Sequence, residues 1–113
     1  MARIDHAAIR TKSYEEAQRF FEDVFEMHMW REIGEKPGRK CWYKEGIQLC
    51  EVEELNAASE NGYDHISIAV DSEAEIMEKI KAYPVKAIND HWFLLPNGTK
   101  IELKPLAEWK VDA

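Results

Sequence analysis

No apolar run in the sequence approaches the roughly 18 residues that a membrane-spanning helix needs, and the opening Met-Ala-Arg-Ile-Asp-His lacks the apolar stretch of a secretory signal. A cytoplasmic chain with no membrane association is therefore expected. Basic residues are in the minority as well: 15 Lys and Arg stand against 22 Asp and Glu, for a net charge of −7 and a pI near 5.1. Nucleic-acid binding, which calls for a basic face against the phosphates, is argued against on that ground. Thiols are confined to Cys41 and Cys50, expected to be reduced in such a compartment. Should Glu45-Gly46 form a two-residue turn, these two cysteines would lie across from each other on neighbouring strands. The chain of 113 residues is long enough for one domain with a shared core.

Within that frame the chain repeats itself. Ile4-Asp5-His6-Ala7-Ala8-Ile9-Arg10 returns as Tyr63-Asp64-His65-Ile66-Ser67-Ile68-Ala69-Val70, and each copy is followed by Ser-x-x-Glu, Ser13 with Glu16 and Ser72 with Glu75. The offset from His6 to His65 equals that from Ser13 to Ser72, 59 residues in both cases. Ser-x-x-Glu is the pattern of a capping box, in which the serine accepts an N–H of the first helical turn and the glutamate reaches back to the cap. The repeated unit is thus a strand and a helix, carrying one histidine.

Periodicity and turn residues extend each unit. Residues 3–10 predict a strand, and Ser13 to about Phe25 a helix with Ala17, Phe20, Phe21 and Val24 inward. Strands follow over 27–33, 40–43 and 47–53, the last two joined about Glu45-Gly46. Residues 54–62 form a linker. The second round predicts a strand over 63–70, a helix from Ser72 to about Ala82, short strands near 85–88 and 91–95, and a final strand over 99–104. The fold class expected is α+β, two βαβββ modules at about 1–53 and 63–105, with a tail at 106–113.

Alternation along the strands sorts the side chains. His6, Ala8 and Arg10 share a face opposite Ala7 and Ile9, and His65, Ser67 and Ala69 one opposite Ile66, Ile68 and Val70. Gln48 and Cys50 oppose Ile47 and Leu49, and Glu102 with its lysine neighbours opposes Ile101 and Leu103. Each strand has an apolar back for a helix to cover and a front with a polar or ligand-type group. His6, Gln48, His65 and Glu102 offer two imidazoles and two oxygens, a set suited to nickel, cobalt, zinc, manganese or iron. Trp30, Trp42, Trp92 and Trp109 are assigned to core and dimer packing and Cys50 to a small buried hydrophobe. His28 and His91 have no evident partner.

The Asp-His strands, Ile47-Gln48-Leu49, and Pro96-Asn97-Gly98-Thr99-Lys100-Ile101-Glu102-Leu103 resemble the vicinal oxygen chelate superfamily, which includes glyoxalase I, over nearly the whole chain. That resemblance implies paired modules curling into a U-shaped mixed sheet around a metal, with His6, Gln48, His65 and Glu102 as ligands of one divalent ion. It implies a small-molecule substrate, a homodimer, and Arg10 placed to bind substrate, as an arginine there binds a glutathione carboxylate in glyoxalases. The activity expected is a glyoxalase I-like lyase or isomerase that moves a proton alpha to a carbonyl. Alternatives are an epimerase like methylmalonyl-CoA epimerase, whose ligand set is similar to His-Gln-His-Glu, and a non-catalytic binder of antibiotics. Gln48 replaces a glutamate and cannot carry a proton, so Glu102 is expected to be both ligand and base, with Glu51, Glu53 or a metal-bound hydroxide next in line.

Overall fold

Alternating apolar residues on the inner strands pack against the helices in the structure, a computed structural model describing residues 2–55 and 62–108. The elements are β1 (Ala2–Thr11), α1 (Tyr14–Phe25), β2 (Met29–Ile33), β3 (Lys40–Tyr43), β4 (Ile47–Glu51), β5 (Tyr63–Val70), α2 (Glu73–Lys79), β6 (Lys86–Ala87), β7 (Trp92–Leu94) and β8 (Lys100–Pro105). This is the expected α+β pattern, βαβββ twice, with parallel and antiparallel pairs mixed. Most of the linker, residues 56–61, and the end of the tail, including Trp109, lie outside the described residues. Among the described residues no helix is long and apolar enough to cross a membrane.

Two compact units divide the chain. In the first, from His6 to Asp64, the strands run in the order β2-β3-β4-β1, with β1 parallel to β4 and the other neighbours antiparallel. Tyr14, Cys41, Tyr43 and Leu49 form its buried core, with Ile9, Ala17, Phe21 and Ile47 packed against them. The second unit joins the start of β1, through Asp5, to the residues from His65 onward. Its strands run β5-β8-β7-β6, with β5 parallel to β8. Val70, Phe93, Ile101 and Leu103 are buried there, with Ile66, Ile68, Ile76, Met77 and Ile80 beside them. In both units it is the apolar back of the strands that the core uses.

Several local expectations are corrected. Of the α1 stripe, Ala17 and Phe21 reach the core, while Phe20 and Val24 are 51% and 58% exposed. The buried line on α1 runs Tyr14, Ala17, Phe21, spacings of three and four, and Phe20 falls about 100° off it. Val24 sits in the last turn, which Glu26 ends with a left-handed φ of 53°. Ser72 caps α2 as expected, its hydroxyl accepting the N–H of Glu75 at 3.2 Å. Ser13 makes no such bond; instead its own N–H donates to the Thr11 hydroxyl at 3.0 Å. The cysteines are offset by one place: Cys41 pairs with Leu49 and Cys50 with Lys40, so Cys41 faces the core and Cys50 the opposite side. The loop holds Lys44 as well as Glu45 and Gly46, whose φ of 109° only glycine takes readily, and this moves the register from that of a two-residue turn.

Candidate metal site

The front of each unit carries the same constellation, built by the same strand register. In the first unit Ala8 on β1 lies beside Gln48 on β4, and Gln48 beside Trp42 on β3. In the second Ser67 on β5 lies beside Glu102 on β8, and Glu102 beside Trp92 on β7. The histidine stands two residues before the first member of each row, His6 before Ala8 and His65 before Ser67, hence on the same face. Each tryptophan meets its histidine edge-on: His6 and Trp42 at 6.5 Å between centroids and 82°, His65 and Trp92 at 4.7 Å and 76°. Two imidazoles thus have their ring planes set by an indole, and a neighbouring strand brings an amide or a carboxylate to each.

The donors are of the kind a metal takes. His6, Gln48 and His65 are buried polar residues at 3%, 5% and 7% exposure, and such groups carry a cost unless something bonds them. The Gln48 side chain has no hydrogen-bond partner among the described residues. His65 Nε2 lies 3.4 Å from Glu102 Oε1, so an imidazole nitrogen and a carboxylate oxygen converge in the second unit. Two imidazole nitrogens, an amide oxygen and one carboxylate are the mixed borderline donors that first-row divalent ions accept, so the donor chemistry of these side chains fits such an ion. Burial pushes the Cys50 thiol up, which disfavours a free thiolate there.

Several other ionisable groups near these strands are engaged. Arg10, on the face of His6, sets Nε 3.3 Å from Asp64 Oδ1, and its N–H donates to the Gly62 carbonyl at 2.6 Å. Gly62 has φ +86°, and a Cβ there would come within 2.7 Å of the Arg10 carbonyl oxygen, so β1 is held close by a glycine. Glu51 receives Arg39 Nε and Nη2, each at 2.8 Å, and those hydrogen bonds hold its carboxyl down to about 2 against the opposing effect of burial. A carboxylate so acidic is a poor proton acceptor near neutrality, and Glu51 falls away as an alternative base. His28, without an evident partner in the sequence, takes Glu45 at 2.7 Å. Burial first, and then hydrogen bonds to Glu32 and Glu22, push the Tyr14 and Tyr43 phenols far upward, which leaves both as neutral core groups.

Of the core and dimer packing expected for the tryptophans, the core part does not hold for Trp42 and Trp92. Both stand on the faces that carry the histidines, Gln48 and Glu102, not in the buried clusters. Each also has a cation over its ring, the Arg31 guanidinium at 5.4 Å from Trp42 and Lys100 Nζ at 4.8 Å from Trp92. Their pairing with Gln48 and Glu102 was open to discovery only through hairpin register.

No family model and no curated protein matches the chain. Solved structures do. A methylmalonyl-CoA epimerase in complex with methylmalonyl-CoA and ammonium superposes with a TM-score of 0.71 at 17% identity, covering 99% of both chains. A hypothetical protein from Bacillus halodurans gives 0.66 at 18% identity, over 99% of this chain and 97% of that one. Methylmalonyl-CoA epimerase from Mycobacterium tuberculosis gives 0.66 at 14%, over 88% and 85%. At these identities the likeness is one of fold alone.

Proposed function

We propose that the chain is a metal-dependent isomerase that moves the proton alpha to the carbonyl of an acyl thioester, with His6, Gln48, His65 and Glu102 as the ligands of one divalent ion. The observation that carries this reading is the repeated register: in both units the residue two past the histidine lies beside the ligand-type side chain of the partner strand. Such a match in two places supports a shared task for the four side chains. A divalent ion bound by them supplies a Lewis acid that favours negative charge on a carbonyl oxygen.

Epimerisation is ranked above the glyoxalase-like reaction because methylmalonyl-CoA epimerases are among the fold neighbours. In this scheme Glu102 removes the alpha proton: the C–H bond breaks, the proton goes to a carboxylate oxygen, and the electron pair moves into the enolate. The Glu102 side chain is 22% exposed, so water can reach it, and a solvent proton delivered to the other face completes the inversion. Gln48 has no proton to give or take near neutrality and serves as an oxygen donor only. Arg10, four residues past His6 on its face and sharing its charge with Asp64, is assigned to an anionic part of the substrate.

The test is incubation with methylmalonyl-CoA in heavy water, read by mass spectrometry. Deuterium is expected at the alpha carbon with the wild type. Glu102→Gln, which keeps an oxygen donor and removes the base, should slow incorporation by about 100-fold or more. Undiminished exchange by Glu102→Gln would remove Glu102 as the base, and no exchange by the wild type on acyl-CoA or hemithioacetal substrates would remove the reaction.

A further inference from the structure

The two matched rows differ in one buried atom. Ala8 beside Gln48 and Ser67 beside Glu102 are both fully buried, and each follows its histidine by two residues. A methyl group fills the place in the first unit. In the second a hydroxyl stands there, and its oxygen has no hydrogen-bond partner among the described residues. A hydroxyl taken out of water and left unbonded is a cost to the fold, so packing gives no ground for it where alanine serves its counterpart. Its neighbours are candidate ligands. Ser67 shares a face of β5 with His65, and its register partner on β8 is Glu102. Glu102 Oε1 is itself turned to His65 Nε2 at 3.4 Å.

We infer that Ser67 is a positioning residue of the metal site, its hydroxyl donating to the Glu102 carboxylate when that carboxylate holds the ion. The inference rests on the ligand set proposed above and adds one side chain behind it. A carboxylate that gives a single oxygen to a metal keeps the other free to accept a hydrogen bond, and outer donors of this kind orient ligand carboxylates. Paired strands stand roughly 4.8 Å apart, and a serine needs only a turn about χ1 between staggered positions to aim its proton along the row. Water does not reach the hydroxyl, so little competes for the bond once it is made. Gln48 needs no such donor: an amide that binds through its oxygen carries no charge and brings N–H groups of its own. The difference between the rows thus follows the difference between the ligands, a hydroxyl beside the carboxylate and a methyl beside the amide.

Calorimetric titration of zinc into metal-free protein tests this, together with denaturant unfolding of the metal-free chains. Ser67→Ala should weaken zinc binding by about tenfold or more, the scale of an outer hydrogen bond to a ligand. Its metal-free stability should be unchanged or raised, because an unbonded hydroxyl has been removed. Glu102→Gln makes the second row resemble the first, with an amide as the oxygen donor, and in that background Ser67→Ala should change zinc affinity by less than about twofold. A Ser67→Ala chain that binds zinc as the wild type does, or that loses as much affinity beside Gln at position 102 as beside Glu, overturns the inference. So does one that loses stability without metal, which would give the hydroxyl a structural bond instead. In each of these cases zinc binding by the wild type leaves the metal site standing. A wild type that binds no zinc overturns both.

Discussion

Ser67 marks the difference between two otherwise matched rows, since its counterpart beside Gln48 is Ala8. Its hydroxyl is fully buried and has no hydrogen-bond partner among the described residues. A buried hydroxyl without a partner costs on the order of 1–3 kcal/mol, and removing it recovers part of that. Ser67→Ala is therefore expected to leave stability unchanged or raise it by up to about 1 kcal/mol in denaturant unfolding. A loss beyond about 2 kcal/mol would show that the hydroxyl has a structural bond after all. Beside it, Glu102 differs from Glu51 by its company. Glu51 is fixed by two guanidinium hydrogen bonds, whereas Glu102 faces an imidazole that can itself bind a metal. That contrast favours Glu102 over Glu51 for the proton transfer proposed above.

The strands and helices show which features a sequence discloses. Arg39 and Glu51 join the start of β3 to the end of β4, and the depressed Glu51 carboxyl has a stated consequence for acid stability. Its contribution is complete above the ordinary value of 4.5 and is lost as pH falls toward about 2, because the unfolded chain takes up the proton first. Arg39→Gln should lower stability at pH 7 and flatten the fall between pH 4.5 and about 2, as measured by urea unfolding at a series of pH values. An unchanged slope would mean that the pair carries no such linkage. The two Asp-His strands were legible because an identical dipeptide opens both alternating runs. The ligand faces of β4 and β8 followed from period-two alternation, which has only two phases. The tryptophans were not legible. The offset is 59 residues between the histidines, 54 between Gln48 and Glu102, and 50 between Trp42 and Trp92, since the connecting loops differ in length. A repeat search at one spacing passes over them. Cys41 and Cys50 were misread for a related reason, one extra loop residue shifting every cross-strand pair. For Ser13 a threonine two residues earlier took the N–H, and an S-x-x-E pattern gives no sign of that competitor.

At the scale of the molecule, each unit is an independent statement of one plan: a parallel pair bearing histidine and donor, an antiparallel neighbour bearing tryptophan, and a helix on the apolar side. The strand pairs that carry these four side chains are hydrogen-bonded to each other within each unit, which favours precise placement over the looseness of a loop site. The central claim is that the two histidines, the amide and the carboxylate hold a divalent ion, and metal content tests it most directly. Protein purified without chelators is expected to carry close to one equivalent of a first-row divalent ion per chain by elemental analysis, and His6→Ala and His65→Ala are each expected to lose it. No metal in the wild type, together with no rise in Tm on adding nickel, cobalt, zinc, manganese or iron, would contradict the account.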